Sequence, residues 1–175
     1  QHDAIEAYRS EDAELVFVML GSFATKAKQA VDQLRAAGMA VGLLRPRLLR
    51  PFPTQLFQQL LANKKGVAVI DQNISMGLGG VLHAELASAL YGQPDAPPIL
   101  ASFIAGLGGR DITSEEFFDI VKETQQAIAD GKSPPPRMLS TETELREVRK
   151  LQAVAQVERQ ELQQIQTGKQ GQEHE

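Results

Sequence analysis

The stretches of this sequence best suited to holding something are two copies of Gly-Leu-Gly-Gly, at residues 77–80 and 106–109. Each follows a short apolar run and precedes a helical pattern. Glycine has no Cβ, so Gly77, Gly79 and Gly80, or Gly108 and Gly109, can reach positive φ and let an anion or another backbone approach closely. The N–H groups and partial positive charge at the start of the following helix favour phosphate or carboxylate. Neither copy completes G-x-G-x-x-G, because the third glycine would fall at Leu82 or Asp111, and neither carries the Lys-Ser/Thr pair of a P-loop. Two readings stand: a free-standing CoA or nucleotide site, or a tight crossing at the rim of a sheet where another chain packs.

The charged candidates divide in the same way. Arg110, beside Asp111 after the second glycine loop, can clamp a carboxylate or phosphate with two N–H groups, or pair with Asp111 or a partner's acid. Arg45, Arg47 and Arg50 form a local basic cluster, either an anion contact or a set of interface ion pairs. Asp71 ends an apolar run, and His83 and Glu85 follow on the next helix. An Asp/His pair invites acid–base chemistry, but residues 83 and 85 do not share a helical face. Ser75 lies in Asn-Ile-Ser-Met-Gly, which is not the G-x-S-x-G elbow. The chain has no cysteine, hence no thiolate nucleophile, disulfide or thiolate-held zinc or iron–sulfur cluster. His2, His83 and His174 are scattered. No catalytic, metal or cofactor-binding residue is assigned; the arginines, loop glycines and Asp111 are candidate interface or anion contacts.

These residues need elements to position them. Residues 14–20, 39–44, 67–71 and 99–104 are short, nearly all apolar runs, the pattern of strands buried on both faces. Between them lie helical patterns over 23–37, 55–63, 81–91 and 115–129. Ser22 and Thr54 are expected N-caps, and Thr113-Ser-Glu-Glu116 reads as a capping box. The alternation predicts an α/β, three-layer sandwich: a mostly parallel sheet of four to five strands with helices on both faces. Residues 1–12 read as a polar lead-in or short helix. Three prolines between 46 and 53 argue against a strand or regular helix over 45–53. The organisation expected is an α/β domain over 1–131, a semi-rigid proline linker over 132–138 and a helical tail over 139–175. The tail has a weak heptad seam at Val148, Leu151, Ala155, Leu162 and Ile165, interrupted by Glu158, and a frayed end from 167. It is either a cap on the sheet domain or an assembly scaffold.

Hydrophobic residues make up 42% of the 175, enough for a core, but aromatics only 5%, so Leu, Val, Ile and Ala must fill it. A net charge of −4 argues against nucleic acid as the main partner. No apolar run approaches the roughly 18 residues of a membrane span, and no export leader is visible, so a cytoplasmic location and no membrane partner are expected. The first residue is Gln1, as in a fragment or processed product.

Three motifs occur in order: Arg45-Pro-Arg-Leu-Leu-Arg-Pro-Phe-Pro53, Asp71-Gln-Asn-Ile-Ser-Met-Gly-Leu-Gly-Gly80 and Phe103-Ile-Ala-Gly-Leu-Gly-Gly-Arg-Asp-Ile-Thr113. Together they resemble the pyruvate:ferredoxin (2-oxoacid:ferredoxin) oxidoreductases, in the α-part domain that is similar to the C-terminal domain of transketolases. The resemblance covers roughly residues 8–129, and the third motif points to the pyruvate branch. It implies an enzyme that oxidatively decarboxylates pyruvate to acetyl-CoA and CO2 on thiamine diphosphate with Mg2+. The electrons pass through iron–sulfur clusters to ferredoxin or flavodoxin. It places those cofactors, and mainly CoA, in other domains. This chain would then be a structural and interface module of an oligomer whose partners are the remaining domains or subunits. Three features depart from the family: no upstream pyrimidine-binding domain, a Gln-rich tail, and Gln72 where a basic residue is expected.

Overall fold

The computed structural model describes residues 4–75, 77–140 and 142–172. The four apolar runs become β2 (Leu15–Met19), β3 (Val41–Pro46), β4 (Gly66–Asp71) and β5 (Ile99–Ile104), joined by α1 (Ala24–Ala36), α2 (Thr54–Leu61) and α3 (Val81–Leu90). After β5 come α4 (Ser114–Asp130) and β6 (Arg137–Met138), and before β2 lies β1 (Ile5–Tyr8). The sheet has six strands in the order β1-β3-β2-β4-β5-β6, parallel except for β1.

Successive side chains of a strand point to opposite faces, and here both faces are filled. Leu15, Phe17, Met19, Ala68, Ile70 and Phe103 pack with α1 and α4. Val16, Val18, Leu44, Val67 and Val69 pack with α2 and α3. Each large side chain so buried contributes about 1.5–3 kcal/mol relative to exposure. Phe17 and Phe117 meet across the first layer with ring centroids 5.7 Å apart. The chain steps from β2 to β3 in one direction and then crosses back over β2 to reach β4. The loops leaving the carboxyl ends of β2 and β4 therefore stand side by side, at the switch point where open α/β sheets usually receive ligands.

Several local expectations are corrected. The lead-in is a strand: Glu6 of β1 lies opposite Arg45 of β3. Its four residues are too few to show periodicity, and helix α1 holds it. Lys28 pairs with Glu6, Tyr8 donates its hydroxyl to Asp32 at 2.9 Å, and Arg35 donates to Asp12 and to the Arg9 carbonyl. Positions 28, 32 and 35 share one helical face. The prolines do not end β3 before residue 45; Pro46 is its last residue, where a missing N–H is tolerated. Ser22 and Thr54 do not cap. The cap positions are Phe23 and Pro53, without side-chain hydrogen bonds, while the Ser22 carbonyl accepts from Thr25 N–H at 3.0 Å. The Thr113–Glu116 capping box is present in both directions.

The segment expected as a linker belongs to the sheet unit, which runs through Leu139. Its prolines preset an extended backbone that drops into an edge position: Arg137 and Met138 lie beside Phe103 and Ile104, and Leu139 is buried. Ser133 Oγ accepts from Leu100 N–H at 3.1 Å, and Arg137 pairs with Glu123. The second unit, from residue 140, holds the helix α5 (Glu142–Gln172), which includes residues 167–172 of the expected end segment. Leu145, Val148, Leu151, Val154 and Val157 are exposed along it. The seam side chains Leu162 and Ile165, and residues 173–175, lie outside the description.

Candidate functional site

Strand β4 ends at Asp71, and α3 begins ten residues later with Val81. Asp71 is 2% exposed. Its Oδ1 accepts from Leu82 N–H at 2.9 Å and its Oδ2 from His83 N–H at 3.1 Å. Asn73 Oδ1 accepts from Val81 N–H at 3.1 Å, and Asn73 Nδ2 donates to Asp71 at 3.4 Å. The next N–H, of Ala84, bonds to the Gly80 carbonyl within the helix. The first three N–H groups of α3, which the sequence offered as an anion site, are therefore taken by the chain's own side chains. Burial pushes the Asp71 carboxyl above the usual aspartate range, opposed by the Leu82 and His83 N–H groups, the His83 charge and Asn73. Asp71 thus addresses backbone N–H groups, and the acid–base reading of an Asp71/His83 pair has no geometric support.

That carboxyl also dictates Gly80. A Cβ at position 80 would lie 2.0 Å from Asp71 Oδ2. The loop before it folds on itself: Ser75 N–H donates to the Gly79 carbonyl at 2.7 Å, and Leu78 and Gly79 N–H to the Ser75 carbonyl at 3.0 and 3.1 Å. Gly77 and Gly79 have φ of 79° and 81°, values that favour glycine. At the switch point Gln72 donates its amide to the Leu20 carbonyl at 3.0 Å. Its side chain lies 3.4 Å from where a Cβ on Gly21 would stand. Gln72 thus bridges the loops that follow β2 and β4.

The second glycine loop is a 3-10 turn, Leu107–Gly109, with φ of 73°, 65° and 83° at Gly106, Gly108 and Gly109. Arg110 turns inward. It donates to Glu116 Oε1 at 2.7 Å and to the Leu139 carbonyl at 2.9 Å, joining the turn to the capping box of α4 and to the end of β6. Asp111 pairs with Lys26, which holds its carboxyl below the usual range. The two loops reach one rim. The Asp71 carbonyl accepts from Ala105 N–H at 2.9 Å, and a Cβ on Gly79 would lie 3.9 Å from Pro136.

The basic cluster splits. Arg45 and Arg47 lie 3.6 and 3.0 Å from Glu6 Oε2. Lys28 first, then Arg47, hold the Glu6 carboxyl below its usual range against burial. Arg50 points to the other face of the sheet and pairs with Glu85 of α3 at 2.7 Å. Among the described residues, no group of three or more His, Cys, Asp or Glu is placed to hold a metal.

The sequence reading overlooked an apolar surface. Ile74, Leu78 and Val81 are 51%, 64% and 36% exposed. Ser75, Leu78, Val81, Ala84, Glu85 and Ser88 line a shallow groove of about 400 Å³ along the outer side of α3. A signal was available: residues 72–84, thirteen in a row, include no Asp, Glu, Lys or Arg.

Residues 13–117 match the family described as pyruvate:ferredoxin oxidoreductase core domain II. The pyruvate synthase subunit PorA of Methanothermobacter thermautotrophicus is 39% identical over 125 residues, 71% of this chain and 31% of that protein. PorA of Thermotoga maritima is 46% identical over 111 residues, 63% and 28% of the two chains. The ketoisovalerate oxidoreductase subunit VorA of Pyrococcus furiosus is 39% identical over 128 residues, 73% and 32%. The chain thus spans about a third of the length of these relatives. Two solved structures share the fold, each with a TM-score of 0.52. One is 2-oxoglutarate:ferredoxin oxidoreductase from Magnetococcus marinus, bound to 2-oxoglutarate, coenzyme A and succinyl-CoA (23% identity; 70% of this chain, 20% of that one). The other is a split gene transketolase, an inactive β4 tetramer (20% identity; 71% and 41%).

Proposed function

Because the chain belongs to the pyruvate:ferredoxin oxidoreductase core domain II family, we propose that it is a non-catalytic interface domain or subunit of a cytoplasmic 2-oxoacid:ferredoxin oxidoreductase. The complete assembly oxidises pyruvate with CoA to acetyl-CoA and CO2 and delivers two electrons, by way of iron–sulfur clusters, to ferredoxin or flavodoxin. Thiamine diphosphate, Mg2+ and the clusters belong to neighbouring domains or subunits. This chain supplies no cysteine for a cluster. Its own work is to present the rim of the sheet, with the two glycine loops, to those neighbours.

The observation that carries the non-catalytic reading is the Asp71 carboxyl beneath the first glycine loop. It occupies the helix N-terminus that a phosphate would need, with Leu82 and His83 N–H groups already donated to it. A cofactor phosphate at that place would meet a carboxylate. The test is calorimetric titration of the isolated chain with thiamine diphosphate and Mg2+, with thermal melting in CoA and acetyl-CoA beside it. No heat of binding and no upward shift of the melting temperature at millimolar ligand are expected, since a native-state ligand stabilises by mass action. Micromolar binding of thiamine diphosphate by the chain alone, or pyruvate consumption by it, would overturn the proposal.

A further inference from the structure

The outward side of the first glycine loop is apolar. Ile74, Leu78 and Val81 stand 51%, 64% and 36% exposed, although the loop that bears them is closely held. Asp71 and Asn73 fix its far end to α3, the Ser75–Gly79 hydrogen bonds close its middle, and Gln72 ties its near end to the β2 loop. The hydrogen bonds hold these side chains where water meets them, and none of the described contacts covers them. The run 72–84 holds no Asp, Glu, Lys or Arg in a chain of which 23% of residues are of those four types, matching the depletion of charge at the centre of protein interfaces. Polar groups ring it: the Arg50–Glu85 pair at 2.7 Å, and Ser75 and Ser88 along the groove.

We infer that Ile74, Leu78 and Val81 form the apolar centre of a docking surface, and that its occupant is the part of the oxidoreductase α polypeptide that this chain does not span. This rests on the functional reading above. The argument for that occupant is length. The chain covers 28–34% of its relatives, so about two-thirds of the relatives' polypeptide must pack elsewhere in the same subunit. A specific interface of roughly 800 Å² per side needs a largely uncharged apolar centre, and the exposed side chains of Ile74, Leu78 and Val81 supply one at the sheet rim. The occupant is apolar and uncharged where it meets Leu78, because Glu85, the charge that lines the groove, is already paired with Arg50.

The test uses the full chain, tagged and purified from its own cells, with co-purifying polypeptides identified by mass spectrometry. A photo-crosslinking p-benzoylphenylalanine is placed at position 78, and in a control at position 91, where Tyr91 is 89% exposed on the far end of α3. The expected result is a crosslink from position 78 to sequence matching the remainder of PorA, whether on a separate polypeptide or further along the same one, and none from position 91. Leu78→Asp and Ile74→Asp should weaken that association about tenfold or more while the circular dichroism and urea midpoint of the isolated chain stay unchanged. Three outcomes would overturn the inference while leaving the functional reading intact: a complex that forms undiminished with Leu78→Asp, a crosslink to a second copy of this chain, or a complex with no crosslink from position 78. Absence of any oxidoreductase polypeptide from the purified material would overturn the functional reading and the docking surface with it.

Discussion

At Gly80 a Cβ would stand 2.0 Å from Asp71 Oδ2, whereas at Gly108 and Gly109 it would meet nothing within 4 Å. The glycines at the first and third positions of Gly-Leu-Gly-Gly are left-handed in both loops; the fourth, Gly80 against Gly109, carries a different constraint in each. Gly80 has an ordinary extended backbone, φ −74° and ψ 137°, which any residue adopts; it is glycine because a carboxylate lies under it. Gly108 and Gly109 have open space around them but φ of 65° and 83°; they are glycine because the backbone is left-handed. The first loop is built around a buried acid and faces outward with apolar side chains. In the second a half-buried base, Arg110, turns inward to Glu116 and Leu139, while Gly108 and Gly109 stand exposed. A repeated motif therefore does not imply a repeated site.

The largest effect should come from Gly80→Ala. The new methyl group displaces the Asp71 carboxyl, and two buried N–H bonds to a charged acceptor go with it. A loss of about 3 kcal/mol is expected from overpacking plus unpaired polar groups, read from the urea midpoint at constant slope. Asp71→Ala should cost about 2 kcal/mol, because Leu82 and His83 N–H groups lose their acceptor. The double variant should cost clearly less than the sum, since both changes remove the same contacts. Additivity would mean that Gly80 and Asp71 are independent and that the steric account of the first loop is wrong.

Gly109→Ala should cost less, about 1–2 kcal/mol, the usual penalty for a Cβ in the left-handed region. The sharper measurement is the asparagine series. Gly109→Asn should recover most of the loss, because asparagine tolerates left-handed backbone. Gly80→Asn should recover none, because its Cβ meets the same carboxylate. If both positions respond alike to asparagine, the distinction between the loops fails.

How much of this was legible follows from how local each cause is. The strands β2, β4 and β5 declare themselves because both faces are buried, so nearly every residue is apolar. The capping box is legible because Thr113 and Glu116 are three residues apart and satisfy each other. Ser22 and Thr54 looked like caps by the same local rule, yet the path by which the chain enters α1 and α2 puts Phe23 and Pro53 at the cap positions instead. Strand β1 was hidden because Ile-Glu-Ala-Tyr shows no alternation by itself; its partner β3 lies about forty residues on, and the side chains that hold it come from α1. The role of Asp71 was hidden because its acceptor function reaches eleven residues forward to Leu82. Arg110 stands out in the sequence by its place after a glycine loop, but its partner carbonyl, Leu139, is 29 residues away, at a position read as the start of the helical tail.

The smallest expected effect, and the one that separates the two loops by electrostatics, lies in their aspartates. Burial raises the folded-state value of Asp71 above the ordinary 3.8, and Lys26 lowers that of Asp111 below it. A raised acid binds its proton more tightly when folded. Its contribution to stability is therefore present below pH 3.8 and declines as pH rises through the folded value. A lowered acid contributes above pH 3.8 and loses that contribution as pH falls through its folded value. Urea midpoints measured from pH 2.5 to 7 should thus change shape on opposite sides of the ordinary aspartate range. Asp71→Asn should flatten a decline on the alkaline side, on top of a constant loss from the missing acceptor. Asp111→Asn should flatten a decline on the acid side, and high salt should mask it because the Lys26–Asp111 pair is exposed to screening. An Asp71→Asn profile parallel to wild type across the whole range would mean that the carboxyl beneath Gly80 is no less comfortable ionised when folded than when unfolded. The two helix-bound N–H groups would then outweigh its burial.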